Sequence, residues 1–319
     1  MTDALAPAPD LVARFEADLA ALADPETRLG IAVSGGPDSL ALLLLAAAAR
    51  PGRVEAATVD HQLRRGSREE AEFVRSICER LGVAHMILTA RVERGASLQA
   101  QARAARYGVL GEWAIQRDLA AVATAHHADD QAETLLMRLA RGAGLGGLVG
   151  VRQTLPLEAG IAVIRPLLGW RRAELAAIVA GAGITPIDDP ANRDPRHDRS
   201  RFRGMLAKAD WADAERLAAS AKWLADADEA LEWALTPLLG TRLRRQGSAL
   251  AVDAEGLPSE LQRRLLLAGF EQMGAHRPRG PEVDRARKAL KAGKTTTLSG
   301  LKLEPGPPWM LSVAPARRR

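Results

Sequence analysis

The chain has 319 residues, a formal net charge of +5 and one cysteine, Cys78. This length is sufficient for two domains with separate hydrophobic cores, and one cysteine excludes an intrachain disulfide and any zinc or iron–sulfur site built from cysteines. No basic leader precedes an apolar stretch, and the longest apolar run, residues 40–49, is too short to span a bilayer. We therefore expect a cytoplasmic protein without a membrane anchor.

Apolar runs and amphipathic patterns alternate along the first half of the chain. After a loose tail over residues 1–10, apolar spacing predicts a leading helix over residues 11–22. Strands are predicted at 29–33, 54–59, 84–88, 120–125 and 161–164, and helices at 40–49, 68–81, 98–116 and from about residue 129. Cys78 falls on the apolar face of the second of these helices, so we interpret it as a core residue rather than a reactive thiol. Strands alternating with helices predict an α/β fold with a doubly wound, mostly parallel sheet.

The second half of the chain has a mainly helical pattern. Helices are predicted at residues 171–180, 213–235, 259–273 and 282–292, with an irregular stretch at 187–197 and short β structure at 294–313. The basic charge belongs to this half, because residues from 191 onward contain 24 Lys and Arg against 16 Asp and Glu, whereas residues 1–190 contain 20 against 23. A solvated basic surface would explain the excess, but beside a nucleotide-binding domain it favours a polyanionic partner.

The turn after the first strand has the composition of an anion site. Two glycines permit positive φ and close approach of a ligand, a proline suits the first helical turn, and the unpaired N–H groups of that turn attract negative charge. An ordinary turn is the alternative, since these residue types are common in turns. The turn lacks the Gly-Lys-Ser/Thr of a Walker A loop and carries an acid, which would face a polyphosphate only across a divalent cation. Its residues are Ser34, Gly35, Gly36, Pro37, Asp38 and Ser39.

Polar clusters follow three predicted strands at their carboxyl ends, where doubly wound sheets bind ligands. The turn at 34–39 follows the first strand, Asp60 and His61 follow the second, and residues 126–133 follow the fourth. A fourth polar stretch, residues 141–147, contains a formal G-x-G-x-x-G, but it follows a helix instead of a strand. We therefore expect a flexible loop bordering the site there, instead of a dinucleotide site.

The cluster after the fourth strand combines histidine with carboxylates. Spacings of four and three place His126, Asp130 and Glu133 on one face near a helix start. Helix capping alone, at about 0.3–1 kcal/mol for each carboxylate, would explain the acids but not the adjacent His126 and His127. The pattern is not H-E-x-x-H, so we do not predict zinc.

Several motifs together resemble a known family. The hexapeptide at 34–39 resembles the SGGxDS loop of the N-type ATP pyrophosphatases, also called PP-loop proteins, and residues 126–134 with 138–142 resemble the HHxDDQAET…RLxRG signature of the tRNA(Ile)-lysidine synthases. Residues 59–64 match their VDHxLR, residues 102–107 their ARxxRY, and 189–192 with Arg199 and Arg203 their DxSN…RNxxR. Ala191 and Ser200 depart from the last motif, and residues 297–300 are similar to a TLGG element.

The resemblance implies a reaction. Members of this family use ATP and Mg²⁺ to adenylate C2 of the wobble cytidine in the CAU anticodon of an isoleucine tRNA. Free L-lysine then displaces AMP, so the products are lysidine, AMP and diphosphate, and the tRNA reads AUA instead of AUG. The expected partners are therefore this tRNA and lysine, with no membrane, and homodimerisation is left open.

The resemblance also implies roles for individual residues. The loop of residues 34–39 would hold the pyrophosphate, with Asp38 and either Asp129 or Asp130 near magnesium and His61 beside the adenosine. Arg103, Arg106, Arg199 and Arg203 would meet phosphate or substrate, and a catalytic set would surround the reacting centre. That catalytic set is Asp38, Arg106, His126, Asp130 and Glu133.

The element pattern divides the chain into four parts, which the resemblance identifies. We expect a tail with the leading helix at 1–27, a PP-loop ATP-binding catalytic domain at 28–166, a connection at 167–210, and a smaller, mainly helical, basic tRNA-binding domain with a short C-terminal β element at 211–319.

The lysine-transfer step requires that the site deprotonate the lysine amine. An amine with a free pKa of about 10.4 is half neutral at pH 7 only if roughly 4–5 kcal/mol of bias is supplied, which is more than one hydrogen bond gives. We therefore predict a general base, either Glu133 or Asp130, in a partly dry pocket.

Three other functions fit parts of the sequence. A tRNA-thiolating enzyme of the same superfamily would need cysteines in its site, and Cys78 alone argues against it. An amidotransferase-type relative would need a glutamine-hydrolysing domain, usually with a nucleophilic cysteine. A catalytically idle, nucleotide-dependent RNA-binding protein is disfavoured by the intact acids and histidines, and pyrophosphate release would exclude it.

Overall fold

The computed structural model describes residues 5–60, 67–90, 98–157, 160–187 and 198–315. The chain divides into two compact units. The first contains Met1–Arg141 and Val149–Lys222, and the second contains Gly142–Leu148 and Trp223–Arg319. The domain limits expected after residues 27, 166 and 210 stay predictions. Within the described part of the chain, none of the helices combines the length and the apolar character that crossing a membrane requires.

The first unit contains a six-stranded sheet. Its strands are β1 (Leu29–Ala32), β2 (Val54–Asp60), β3 (Ala84–Thr89), β4 (Ala121–Ala123), β5 (Thr154–Pro156) and β6 (Ala162–Ile164), in the order β3-β2-β1-β4-β6-β5. All neighbours are parallel except β5 and β6. The predicted doubly wound, mostly parallel sheet is confirmed. Strand β5 was not predicted, because a three-residue edge strand ending in proline shows no usable periodicity.

Helices follow the strands of this sheet. They are α1 (Pro9–Ala20), α2 (Pro37–Ala49), α3 (Ser67–Leu81), α4 (Leu98–Gln116), α5 (Ala128–Ala140), α7 (Arg172–Gly181) and α8 (Asp198–Leu206), and the short α6 (Leu145–Leu148) belongs to the second unit. Helix α2 is apolar on all sides and is buried from Ser39 to Ala47, where it packs against α1 and α7. It thereby fixes the position of the turn at its N-terminus.

Two features of the core hold the strands in place. A Cβ atom on Gly30 of β1 would lie 2.6 Å from the ring of Trp113, so only glycine lets this fully buried indole pack on the strand. Cys78 is fully buried in the main cluster of apolar side chains, and burial raises the pKa of its thiol to about 12. The interpretation of Cys78 as a core residue is therefore confirmed.

The second unit contains more β structure than the sequence pattern indicated. Helix α9 (Ala214–Arg242) begins in the first unit and continues into the second, where β7 (Leu243–Gln246), β8 (Ala249–Val252), α10 (Ser259–Gln272), α11 (Gly280–Lys291), β9 (Thr296–Leu298), β10 (Leu301–Glu304) and β11 (Trp309–Val313) follow. The strands form an antiparallel sheet in the order β7-β8-β11-β10-β9. The predicted helices and the β element near the C-terminus are confirmed.

The β7–β8 hairpin was missed because its first strand carries little apolar signal. Strand β7 reads Leu-Arg-Arg-Gln, and only Leu243 is buried. Charged side chains on an edge strand protect it from pairing with other chains, and they remove the alternation that identifies a strand. Gly247, with φ +60°, makes the two-residue turn that joins the strands.

The six tryptophans fall into two groups. Trp113 and Trp170 are fully buried in the first unit, and Trp309 is nearly buried in the second. Trp211, Trp223 and Trp233 are 77%, 71% and 81% exposed. Half of the indoles of this chain therefore contribute little to a hydrophobic core.

Candidate functional site

The turn of residues 34–39 lies between β1 and α2. Gly35 adopts φ +83°, and its carbonyl accepts a hydrogen bond from the Ile187 N–H at 3.0 Å. The Ser39 Oγ accepts from the Ser34 N–H at 3.1 Å and donates to the Gly36 carbonyl at 3.0 Å. The turn is therefore fixed by hydrogen bonds within it and from Ile187. The first N–H groups of α2 have no acceptor within the helix.

Asp38 lies in the first turn of α2 and carries an unsatisfied oxygen. Its Oδ1 is buried and has no hydrogen-bond partner among the residues that the structure describes. Its Oδ2 lies 3.5 Å from Nε2 of His127, which is fully buried. A buried carboxylate oxygen without a donor is costly, and a cation would satisfy it.

His127 starts α5 as its N-cap residue. Its backbone N–H donates to Oδ2 of Asp130 at 3.2 Å, and its Nδ1 accepts from the Asp130 N–H at 3.4 Å. This reciprocal arrangement is a capping box, so capping is one role of Asp130. The same ring contacts three carboxylates, because Nε2 is 3.5 Å from Asp38 Oδ2 and 3.6 Å from Asp130 Oδ2, and Nδ1 is 3.6 Å from Asp129 Oδ2.

Asp129 also contacts the start of helix α7. Its Oδ2 accepts from the Arg172 N–H at 2.8 Å, and the Arg171 guanidinium lies 3.4 Å from both carboxylate oxygens. Burial raises the pKa of Asp129, but the Arg172 N–H and Arg171 outweigh this and hold the pKa below its usual value. Asp129 therefore joins His127 to the start of α7, whereas Asp130 joins His127 to Arg199.

Glu133 is surrounded by three arginines. The carboxylate is 1% exposed, and it accepts from Arg203 Nε at 2.8 Å and from Arg199 Nε at 2.9 Å, while Arg172 Nη2 lies 3.5 Å away. Arg199 also donates to Oδ1 of Asp130 at 3.1 Å. Burial raises the pKa of Glu133, but the hydrogen bonds from Arg203 and Arg199 outweigh it and lower the pKa overall. Glu133 is therefore a carboxylate at neutral pH.

Three further arginines lie around Tyr107, and we call Arg103, Arg106 and Arg165 the basic cluster. The guanidinium carbons of Arg103 and Arg106 lie 4.9 and 5.6 Å from the Tyr107 ring centroid, and Arg165 Nη2 lies 3.5 Å from the Tyr107 hydroxyl. Burial, then the charges of Arg165, Arg106 and Arg103, lowers the pKa of His126 to about 2. His126, whose Nδ1 lies 3.1 Å from the Thr124 hydroxyl, is therefore neutral.

The structure brings the predicted residues together in two groups. Asp38, Asp130, Glu133, Arg199 and Arg203 form a connected set of contacts through His127. His126 lies within electrostatic reach of Arg103 and Arg106. His61 and residues 189–192 lie outside the described residues.

Arg172 and Arg165 contribute to these groups and were missed by sequence reasoning. Arg172 begins a helix, a position that normally favours acids, which is a signal that it has a specific partner. Arg165 follows a short apolar strand at the same sheet edge as the other site residues, and its position at a strand end could have identified it.

Protonation of two histidines should reduce stability in acid. The pKa of His85 is lowered from 6.5 to about 4, mainly by burial, and that of His126 from 6.5 to about 2. The unfolded chain therefore binds more protons below about pH 6.5, so the free energy of unfolding falls as the pH falls. We expect urea midpoints to decrease from about pH 7 to about pH 5, and a His85→Gln variant to show a smaller decrease. Midpoints that do not change over this range would contradict the expectation.

The carboxylates do not form a complete metal site by themselves. In the described part of the chain, no three His, Cys, Asp or Glu side chains are grouped so that they could hold a metal ion. Mg²⁺ is usually held by one or two carboxylates together with substrate phosphates, which fits Asp38 with its unsatisfied oxygen and Asp130 nearby. The donor set therefore suits a cation that arrives with a nucleotide.

Known proteins resemble the chain over most of its length. Residues 10–209 match the PP-loop domain family. The chain is 46% identical over 309 residues to a tRNA(Ile)-lysidine synthase of Novosphingobium aromaticivorans, a match covering 96% of this chain and 94% of that protein. A protein of the same description from Zymomonas mobilis is 43% identical over 297 residues, with 92% and 90% covered.

One solved structure supports the fold. The U34-tRNA thiolase NcsA from Methanococcus maripaludis with its [4Fe-4S] cluster has a TM-score of 0.55 to this chain, at 16% sequence identity, with 67% of this chain and 77% of that chain covered. At this identity the likeness concerns the fold alone.

Proposed function

Because the chain belongs to the tRNA(Ile)-lysidine synthase family of PP-loop proteins, we propose that it ligates L-lysine to the wobble cytidine of the CAU-anticodon isoleucine tRNA. ATP adenylates C2 of that cytidine with release of diphosphate, and lysine then displaces AMP to form lysidine. The modified tRNA reads AUA instead of AUG. The observation that carries this conclusion is that the relationship extends through both units and is not limited to the PP-loop domain.

The turn of residues 34–39 is proposed to hold the phosphates of ATP. Support comes from the positive φ of Gly35, which turns the backbone, and from the unpaired N–H groups at the start of α2. The Ser34 and Ser39 side chains fix the turn before a ligand arrives. His61 is proposed to lie beside the adenosine.

Asp38 and Asp130 are proposed to hold Mg²⁺ together with the nucleotide. The unsatisfied Oδ1 of Asp38 supports this assignment, as does the closeness of both carboxylates to the His127 ring. When bound, the ion would neutralise charge on the departing diphosphate. Arg199 and Arg203 are proposed to remain on the carboxylates while they meet phosphate or substrate.

Lysine must lose a proton before it attacks, and we propose a carboxylate as the base. Glu133 already accepts from two guanidinium groups, and its pKa is lowered, so its affinity for a proton is small. Asp130 is more exposed, at 14% of its side chain, and its guanidinium contacts are longer, at 3.1 Å from Arg199 and 3.8 Å from Arg172. These contacts favour Asp130 as the base for the second step, after the diphosphate and its cation would have left, and Glu133 as the residue that positions the arginines. His126, which is neutral, is proposed to contact the reacting groups without carrying charge.

The second unit supplies the proposed surface for tRNA, within the domain expected at 211–319. Its exposed basic side chains line the edge strand β7 and the region around α11, where phosphates of RNA could be contacted. These residues are Arg244, Arg245, Arg277, Arg279, Arg285, Lys288, Lys291 and Lys294.

Incorporation of labelled lysine tests the proposed function. The protein is incubated with ATP, Mg²⁺ and a CAU-anticodon isoleucine tRNA transcript, beside the same transcript with an altered wobble base. Incorporation into the first transcript alone is expected. ATP-dependent diphosphate release with some other substrate, without lysine incorporation, would assign the chain to a different adenylating activity.

Asp38→Asn tests the magnesium assignment. The amide keeps the shape of the side chain but has one weak oxygen ligand instead of a carboxylate, so the Mg²⁺ concentration that gives half-maximal diphosphate release should rise by about 10-fold or more. The measurement is a Mg²⁺ titration at saturating ATP. Asp24→Asn, at an exposed turn, is the matched control and should titrate as the wild type does. Equal titrations for Asp38→Asn and wild type would contradict the assignment.

A further inference from the structure

The basic cluster has no counter-charge. Within the described residues, no carboxylate lies within ion-pair distance of Arg103, Arg106 or Arg165. Burial first, and then the charges of Arg103 and Arg165, lowers the pKa of Arg106, against an opposing effect of Tyr107. The arrangement is unlike the neighbouring one at Glu133, where each guanidinium contacts a carboxylate.

Arg165 is the most deeply buried member of the cluster, at 2% exposed. Its Nη1 donates to the Arg152 carbonyl and its Nη2 lies 3.5 Å from the Tyr107 hydroxyl, but its buried Nε has no acceptor among the described residues. The Arg165 guanidinium therefore keeps its charge in a buried position with one N–H unsatisfied and no carboxylate beside it, which is unfavourable until an acceptor is supplied. A site that keeps such a charge is therefore built to receive an anion.

The cluster borders the set of carboxylates described above. Arg165 directly follows β6 and His126 follows β4, which is the parallel neighbour of β6. The charges of all three arginines reach His126, and so does the charge of Arg199, which bonds Asp130 and Glu133. An anion at the cluster would therefore lie beside the acidic residues of the site.

We propose that the basic cluster is an oxyanion subsite whose ligand is the α-carboxylate of the lysine co-substrate. The inference rests on the proposed function. Guanidinium groups bind carboxylates through paired charge-assisted hydrogen bonds, and the free Nε of Arg165 is one donor for them. A small amino acid suits a group as deeply buried as Arg165 better than an RNA backbone does. With its α-carboxylate at the cluster, lysine has its attacking amine free to face Asp130.

Kinetics of Arg165→Gln with the full-length protein test the proposal. The KM for lysine should rise about 10- to 100-fold, as for loss of a charge-assisted hydrogen bond to a charged ligand, while the KM for the tRNA changes less than about threefold. L-Lysinamide, which lacks the carboxylate, should be a poor substrate for the wild type. The variant should then distinguish lysine from lysinamide about 10-fold less than the wild type does.

Two other variants separate binding from stability. Arg103→Gln removes an exposed member of the cluster, so it should fold normally and still raise the KM for lysine. Arg287→Gln is the matched control, because Arg287 is a buried arginine of the second unit whose Nε also lacks a hydrogen-bond partner in the described chain. It should leave the KM for lysine unchanged. Arg165→Lys should recover part of the lost lysine affinity.

Other outcomes would overturn the proposal. A higher KM for the tRNA, with lysine unaffected in Arg165→Gln and Arg103→Gln, would assign the cluster to an RNA phosphate. If both variants discriminate against lysinamide as strongly as the wild type does, the lysine carboxylate does not bind at the cluster. Absence of lysine incorporation by the wild type would instead reject the proposed function itself.

Discussion

Replacing Glu133 by glutamine is expected to destabilise the first unit by about 2 kcal/mol and to lower lysine incorporation about 100-fold. The substitution removes the charge that holds Arg199, Arg203 and Arg172. Loss of one partner from a buried ion pair costs about 3–5 kcal/mol, and we take a smaller value because these arginines are about a third exposed. Urea unfolding and the labelled-lysine assay measure the two effects.

The pH dependence of stability gives a second signature of Glu133. Because its folded pKa is lowered, Glu133 contributes stability above the ordinary glutamate pKa, and this contribution is lost as the pH falls through the folded pKa. The free energy of unfolding of Glu133→Gln should not show this loss at acidic pH. Glu26→Gln, at a 79% exposed side chain paired with Arg53, is the matched control and should change stability by less than about 0.5 kcal/mol. An unchanged lysine-transfer rate in Glu133→Gln would exclude it as the base and as the positioning residue.

Gly35→Ala should lower the stability of the protein and Gly36→Ala should not, whereas both variants should bind ATP more weakly. Gly35 has φ +83°, and a Cβ there would lie 2.4 Å from Ile187 Cδ1, so Gly35→Ala should destabilise by about 1–3 kcal/mol. Gly36 has φ −75°, and the atom nearest to a Cβ there would be Ser34 Oγ at 3.8 Å, so Gly36→Ala should fold at least as stably as the wild type.

Both variants should nevertheless lose ATP affinity. A methyl group on the turn would keep phosphates from the backbone, and we expect the KM for ATP to rise about 10-fold or more in Gly36→Ala. Thermal unfolding separates the variants, and diphosphate release measures their common defect. A Gly36→Ala protein with unchanged KM for ATP would show that the ligand does not approach this turn closely. Gly52→Ala controls for positive φ alone, because a Cβ there meets nothing within 4 Å.

The α/β fold was predictable because its signals are local. Helix α4 was predicted at residues 98–116 and is found at Leu98–Gln116, since its ends coincide with the apolar pattern. Helix α2 begins three residues earlier than its apolar run, because Pro37 occupies the first helical turn. Helix α8 was missed because its sequence is polar, and its arginines are paired with Glu133, some 66 and 70 residues earlier.

The candidate site was predictable only in part, because many of its contacts join segments that are distant in sequence. The motifs identify the acids and most of the arginines, but the partners of each acid depend on how distant segments meet. Arg172 reaches Glu133 across 39 residues, and the unpaired charge of Arg165 becomes visible only when the surroundings of Tyr107 are known. No spacing rule connects such residues, because a sheet places strand ends together regardless of their separation along the chain.

The two groups of tryptophans give two separate signals in the intrinsic fluorescence of this protein. Trp211, Trp223 and Trp233 are surrounded mostly by water in the native state, so their emission should change little on unfolding and they should be open to a soluble quencher. Trp113 and Trp170 are shielded, and Trp170 also donates to Asp18 at 2.8 Å with the Arg14 guanidinium 4.0 Å from its ring. The wavelength shift on denaturation therefore reports mainly these indoles and Trp309, whereas quenching of the native protein reports the exposed three.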